Sequence, residues 1–158
     1  MQPFDPKDLA TLPIEAATTL SGLELFHKII SGELPHPPVS ALSNQRMIEA
    51  DHGRIVWETS PPENFVNPWG GVHGGWAMTV LDSALGCAVH SGLAAGQGCT
   101  TLEVKTNLTR APKTGEVYRC EGTMLSLGRR VGTAEARLLD AENRVIAFGS
   151  TTCLVFDL

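Results

Sequence analysis

The pattern of apolar and polar residues predicts one long helix near the middle of the chain. It begins at His73 or Gly74 and runs to about Ser91. Within it, apolar residues recur every three or four positions, as they do on one face of a helix. These positions are Ala77, Val80, Leu81, Ala84, Leu85 and Ala88. We expect this face to be buried against a core, with Asp82 at its edge.

A shorter amphipathic helix is predicted near the N-terminus, after an irregular lead-in. Its apolar positions, Leu23, Phe26, Ile29 and Ile30, also follow helical spacing. Ser21 is a candidate N-cap, and Gly32 followed by Pro35 is expected to end the helix. We therefore divide the chain into an N-terminal extension over residues 1–40, which holds this helix, and a main domain over residues 41–158.

Alternating patterns predict about six β-strands in the main domain. Two of them precede the long helix and form a hairpin, and four follow it, joined by short connections. The predicted strands are Met47–Ala50, Arg54–Thr59, Thr100–Leu108, Val117–Leu125, Val131–Leu139 and Val145–Phe156. Short turns make neighbouring strands antiparallel. The pattern thus predicts an α+β fold in which a curved antiparallel sheet wraps around the long central helix.

Composition narrows the class of protein. The chain has 158 residues, of which 42% are hydrophobic, so it has enough apolar material for one domain with a core. A formal net charge of −5 argues against a nucleic-acid partner. The apolar runs are shorter than the about 18–20 residues that cross a bilayer, so no membrane partner is expected.

The cysteines indicate the cellular compartment of the protein rather than a metal site. The four cysteines, Cys87, Cys99, Cys120 and Cys153, lack metal-ligand spacing and have no paired histidines beside them. We therefore expect no metal site and interpret the cysteines as small buried hydrophobes. Thiols without a recognisable secretory signal favour a cytoplasmic location.

Four glycines at the start of the long helix are the first chemical signal. Gly70, Gly71, Gly74 and Gly75 flank His73. A helix that begins here exposes unpaired backbone N–H groups, and glycine lets a ligand oxygen approach them closely. Such groups suit a carbonyl oxygen that becomes an oxyanion. The alternative is that the glycines simply form a tight loop.

Asp82 is the second signal, because a carboxylate beside a buried helix face needs partners or a purpose. It could act as a nucleophile or as a general base on water, or be a hydrogen-bonded edge residue. Eight residues separate it from Gly74, which is about 12 Å along a helix. One reacting carbon cannot touch both groups of the same helix. If both act in one site, they come from two subunits of a dimer with antiparallel central helices.

Neighbouring polar residues offer supporting roles, each with a plainer alternative. His73 could donate to a substrate carbonyl or cap its own helix, and we favour the cap. Asn67 could orient a carbonyl or a water through its amide, or form a turn before Pro68. Thr100 and Thr101 offer hydroxyls to Asp82 or to a water, but on a strand only one of them points to a given face.

Three arginines are candidates for binding phosphates. Arg110 follows a predicted strand, and Arg129 and Arg130 follow a Leu-Gly turn. Guanidinium groups suit the phosphates of a nucleotide-like carrier, although solvated turn charges are an equal alternative. The segment Gly128–Gly132 is not a phosphate loop, and the chain has no G-x-S-x-G elbow of a serine α/β-hydrolase.

Together these residues make the chain resemble the hotdog-fold acyl-CoA thioesterases, in the branch named for phenylacetic acid degradation. The resemblance runs from roughly Ser21 to Phe156, and its specific part is the spacing of Asn67, His73–Gly75 and Asp82. It implies a sheet wrapped around a central helix, dimers joined edge to edge, and often tetramers. It implies hydrolysis of an acyl-CoA thioester. We expect an aryl- or medium-chain acyl group and a mechanism that needs no metal or redox cofactor.

The resemblance also implies roles for individual residues. The N–H of Gly74 would polarise the thioester carbonyl, and Asp82 of the partner chain would attack it or activate water. Asn67 and His73 would shape the thioester end of the site, and Thr101 would assist Asp82. Basic residues would hold the phosphates of CoA, for which Arg110, Arg129 and Arg130 are the candidates.

Two rival functions remain. A non-catalytic acyl-CoA sensor on the same fold would have no need of Asp82. A hotdog hydratase or dehydratase would need an acid–base pair, for which His73 and Asp82 could serve. Release of free CoA from a saturated acyl-CoA separates a thioesterase from both.

Overall fold

The computed structural model describes Met1 and residues 3–158. A six-stranded sheet forms in the order β1-β2-β4-β5-β6-β3, with all neighbours antiparallel. The strands are β1 (Gln45–Asp51), β2 (Arg54–Thr59), β3 (Gln97–Leu108), β4 (Tyr118–Leu127), β5 (Val131–Leu139) and β6 (Val145–Asp157). The predicted α+β fold is confirmed, with strand ends that differ from the predicted ones by up to three residues.

Four α-helices accompany the sheet in the described part of the chain. They are α1 (Ile14–Thr19), α2 (Gly22–Ser31), α3 (Pro38–Leu42) and α4 (Gly74–His90), and a 3₁₀ turn at Pro6–Asp8 precedes them. The sheet curves around α4, whose predicted apolar face is fully buried. At Gly122 on β4, an added Cβ would overlap the carbonyl oxygen of Ala84, so the sheet and α4 pack at backbone distance there.

The start of α4 is fixed by a buried tryptophan. Trp76 is fully buried, and its indole N–H donates a hydrogen bond to the carbonyl oxygen of Ser43, at 2.9 Å. Its ring packs edge-on against Tyr118, with ring centroids 5.8 Å apart. Because both ends of this contact are inside the core, the first turn of α4 is held rigidly relative to the sheet.

The N-terminal segment is more regular than predicted. The capping box at Ser21 and the left-handed Gly32 (φ 81°) bound α2 as expected. The prediction of an irregular lead-in was wrong, because α1 and the 3₁₀ turn lie within it. Only Ala16 of the six residues of α1 is buried, so the sequence of this helix shows no apolar periodicity. The helix α2 packs on β1, and its first residue, Gly22, donates its N–H to the carbonyl oxygen of Leu93, at 3.1 Å.

The strand β3 lies at one edge of the sheet. It is 12 residues long, and it pairs with β6 on one side while its other side carries no strand of this chain among the described residues. Leu102 in its middle is 60% exposed. A long and partly apolar edge of this kind is a ready surface for pairing with another strand.

Candidate active site

Asp82 and Thr101 meet at the junction between α4 and β3. The hydroxyl of Thr101 donates a hydrogen bond to the Asp82 carboxylate, at 2.9 Å. Both residues are exposed, so the second carboxylate oxygen is open to a ligand or a water. Of the two predicted threonines it is Thr101 that contacts Asp82, because successive strand residues point to opposite faces.

Two cavities open on either side of this pair. One has a volume of about 380 Å³ and a mainly apolar lining, and runs between α2 and α4. The other, of about 330 Å³, lies on the open side, between Met78 and Thr79 on α4 and Val104 and Thr106 on β3. Asp82 and Thr101 line both cavities. The carboxylate of Asp82 is therefore accessible from both cavities.

Three thiols and a histidine line the deeper end of the larger cavity. Burial raises the pKa of Cys87 to about 12 and lowers the pKa of His90. Interaction between the thiols of Cys99 and Cys153 raises the pKa of Cys99, an effect that burial adds to, and lowers the pKa of Cys153. The side chain of Cys153 is fully buried. Apart from Cys153, these groups favour their neutral forms, which suits an apolar ligand.

The start of α4 presents a free backbone donor. The side chain of His73 accepts a hydrogen bond at its Nδ1 from the N–H of Gly75, at 2.9 Å, so His73 caps the helix. Among the described residues no acceptor is found for the N–H of Gly74, which is the first residue of the helix. A helix start with an unpaired N–H attracts a partly negative oxygen.

Asn67 organises the loop before α4. Its side-chain carbonyl accepts hydrogen bonds from the N–H groups of Trp69 and Gly71, at 3.0 and 3.2 Å. Its backbone N–H donates to the carbonyl of Gly71, at 2.8 Å. Asn67 therefore stabilises the turn before α4, as one of its two predicted roles requires. The amide nitrogen makes no hydrogen bond within the described residues, so it stays available to a ligand.

Within one protomer the pair of Asp82 and Thr101 lies apart from the residues at the start of α4. Gly74 and Asp82 are the first and the ninth residues of the same straight helix, so about 12 Å separates them along its axis. Asp82 and Thr101 form one half of a candidate site, and Asn67, His73 and Gly74 form the other.

The candidate arginines also fall into two groups. Arg129 and Arg130 line a polar cleft of about 360 Å³ with Gln97 at the start of β3. Arg110 follows the far end of β3, where its guanidinium donates to the carbonyl oxygen of Val145, at 2.7 Å. The length of β3 places roughly 35 Å between these groups in one protomer.

Two further features bear on the predicted partners. In the described residues, His, Cys, Asp and Glu side chains form no group of three or more that could hold a metal ion. None of the helices that the structure describes is both long and apolar enough to cross a membrane.

Comparison with known proteins now places this site in a family. The model of the thioesterase superfamily matches residues 70–147, which include both α4 and Thr101. This match covers 78 of the 158 residues and assigns the matched segment to this superfamily. Its reaction class is therefore thioester hydrolysis, and the predicted resemblance to hotdog thioesterases is confirmed. No curated relative matches the chain in sequence.

Solved structures share the hotdog fold of this thioesterase. A phenylacetic acid degradation-related protein of Ralstonia eutropha is 25% identical, with a TM-score of 0.75 over 82% of this chain and 98% of its own. A hypothetical thioesterase of Streptococcus pneumoniae, solved with coenzyme A, is 25% identical, with a TM-score of 0.68 over 75% and 91% of the two chains. The PaaI protein of Escherichia coli, at 15% identity, has a TM-score of 0.69 over 75% and 83%.

Sequence reasoning missed the larger cavity of this thioesterase. Its wall includes Leu25, Phe26 and Ile29 of α2. The periodicity identified Phe26 and Ile29 only as part of an apolar face and did not include Leu25. On α4 it includes Gly86, four residues after Asp82. A glycine in the middle of a predicted helix was the signal that could have found it, because glycine is a poor helix former and needs a reason to be there.

Proposed function

We propose that this protein hydrolyses an aryl- or medium-chain acyl-CoA to the free acid and CoA, at sites shared between two copies of the chain. The observation that carries the proposal is the hydrogen-bonded pair of Asp82 and Thr101 at the meeting point of two cavities. The CoA-bound relative from Streptococcus pneumoniae supports the choice of carrier.

In the proposed mechanism the thioester carbonyl oxygen accepts a hydrogen bond from the free N–H of Gly74. This donor, aided by the helix dipole, stabilises the negative charge that develops on that oxygen. Asp82 of the other copy attacks the carbonyl carbon or takes a proton from an attacking water. Thr101 holds the carboxylate in position, and Asn67 and His73 shape the loop around the thioester. The carbon–sulfur bond then breaks, and the departing thiolate of CoA takes up the proton that Asp82 removed from the attacking water. If Asp82 itself attacks, the product is an acyl–aspartyl anhydride, which water hydrolyses to the free acid; this step restores the carboxylate and supplies the proton for the thiolate.

Pairing of two copies through β3 supports this assembly. In a two-fold antiparallel pair, the start of one β3 lies beside the end of the other. The start of one α4 would then approach the middle of the other, which brings Gly74 to the partner's Asp82. The same operation brings Arg110 near the Arg129 and Arg130 of the other copy. All three guanidinium groups could then bind the phosphates of one CoA.

Free-thiol release from phenylacetyl-, benzoyl- and hexanoyl-CoA tests the proposal. We expect release by the wild-type protein and a fall of at least ~100-fold in Asp82→Asn, since the variant loses the base or nucleophile but keeps the shape. Because Asp82 is exposed, the melting temperature of the Asp82→Asn protein should stay close to that of the wild type. Thr101→Val should give a smaller loss, because the carboxylate remains.

Asp51→Asn is the matched control, since Asp51 is an exposed carboxylate at the end of β1 that lines neither cavity. We expect it to retain activity. Equal activity of Asp82→Asn and Asp51→Asn would overturn the assignment. CoA binding without thiol release from any substrate would instead identify a sensor.

A further inference from the structure

The larger cavity follows one face of α4 away from the catalytic carboxylate. Its lining residues on this helix are Asp82, Ser83, Gly86, Cys87 and His90. They form a single stripe beside the core face. Asp82 and His90 are eight residues apart, so the cavity extends about 12 Å from the carboxylate along the helix.

Gly86 lies halfway along this stripe without a packing reason to be glycine. A Cβ added there would have Thr101 Oγ1 as its nearest neighbour, at 3.9 Å, which is ordinary contact. At Gly122 or Gly22, by contrast, an added Cβ would overlap a backbone carbonyl oxygen. Since glycine disfavours the helix and the packing tolerates a larger residue, the space it leaves in the cavity explains its presence.

The N-terminal segment forms the outer wall of the cavity. Leu25, Phe26 and Ile29 of α2 are each no more than 5% exposed, and all three line the cavity. The ring of Phe26 lies 5.5 Å from that of His90 at the deep end. The wall is attached to the main domain through Gly22, which donates to Leu93 just beyond α4.

We propose that this cavity binds the acyl group of the substrate as an extended, uncharged medium chain, with Gly86 and Phe26 setting its length and width. The inference rests on the proposed function, since it assigns the acyl end of the same substrate. An extended chain advances about 3.3–3.6 Å per three bonds, so about 12 Å takes roughly ten chain atoms. The apolar lining disfavours a charged end group.

The test is the dependence of kcat/KM on chain length for straight acyl-CoAs from acetyl to tetradecanoyl. We expect kcat/KM to rise by up to about fourfold per methylene as far as octanoyl or decanoyl, and then to fall. Gly86→Leu fills the middle of the cavity. It should lower kcat/KM for octanoyl-CoA by at least about 50-fold, while the value for acetyl-CoA changes by less than about threefold.

Three further variants guard against effects of misfolding. Gly86→Ala should raise the melting temperature, because alanine favours the helix, and still lower octanoyl-CoA turnover. Phe26→Ala should move the optimum to longer chains, whereas Ile30→Ala, on the outer side of α2, should not. Ile30 is partly exposed and does not line this cavity.

The outcomes separate the two proposals. Octanoyl-CoA turnover unchanged in Gly86→Leu and Phe26→Ala would overturn the acyl-site inference and leave the proposed function intact. A maximum at acetyl-CoA would overturn the inference and the proposed medium-chain preference, and would leave only thioester hydrolysis at the shared site. If no acyl-CoA is hydrolysed, the proposed function fails and the inference fails with it.

Discussion

At the scale of single residues, Gly74 offers the most direct test, because its backbone N–H is the proposed hydrogen-bond donor to the thioester oxygen. Its N–H is unpaired among the described residues, and the preceding residue, His73, has an extended backbone (φ −67°, ψ 133°). Proline is well tolerated as the first residue of a helix, and it requires an extended residue before it. Gly74→Pro therefore removes one hydrogen-bond donor with little strain.

We expect Gly74→Pro to fold and to lose about 100-fold or more in kcat, the range found when one donor to an oxyanion is removed. Gly74→Ala is its control, because it keeps the N–H. An added Cβ would approach only the Leu108 side chain, at 3.2 Å, so a small adjustment suffices. Equal activity of the two variants in steady-state thioester hydrolysis would show that the N–H has no part in the reaction.

The proposed catalytic residues were easier to predict from the sequence than the cavity was. Asp82 stands out because it adjoins an apolar stripe, and Thr101 because strand alternation lets one of two threonines face it. Phe26 and Gly86 lie 60 positions apart in the sequence, and only the packing of α2 beside α4 makes them walls of one cavity. Local periodicity cannot describe an empty space between distant elements.

At the scale of elements, the contact of α2 with the end of α4 decides whether the cavity is closed. A Cβ on Gly22 would overlap the carbonyl oxygen of His90. We expect Gly22→Ala to push α2 outward and lower the free energy of unfolding by about 1–3 kcal/mol, the usual cost of overpacking. Chemical denaturation measures this change.

Gly128→Ala is the matched control for that substitution. Its Cβ would meet the Val131 carbonyl oxygen at 3.5 Å, an ordinary contact, so we expect a change within about 0.5 kcal/mol. A Gly22→Ala protein as stable as this control would show that the joint between α2 and α4 is not tightly packed.

The elements that sequence reasoning identified are those with long buried faces. The helix α4 has 17 residues and a continuous buried stripe, and its predicted ends are nearly correct. The helices α1 and α3 have six and five residues, with one buried residue each, so they leave almost no periodic signal. A proline precedes each of these helices, as is common at helix starts. A proline in the sequence is equally typical of a connecting loop, so it does not by itself predict a helix.

At the scale of the whole molecule, the central claim is that one protomer holds two halves of different active sites. If Gly74 and Asp82 act on the same thioester, the helix geometry requires two copies, because about 12 Å separates the two residues along α4. The exposed edge of β3 is the surface that we propose for the pairing of two copies. Spacing along the sequence led to the same expectation, since every α-helix rises by nearly the same distance per residue.

The most direct measurement is complementation between two inactive variants. Asp82→Asn keeps Gly74, and Gly74→Pro keeps Asp82. When equal amounts are unfolded together and refolded, random pairing makes half of the dimers mixed, and each mixed dimer has one intact site of two. The account predicts recovery of about a quarter of the wild-type thioesterase activity. Activity that stays at the level of the separate variants, although native mass spectrometry shows mixed dimers, would contradict it.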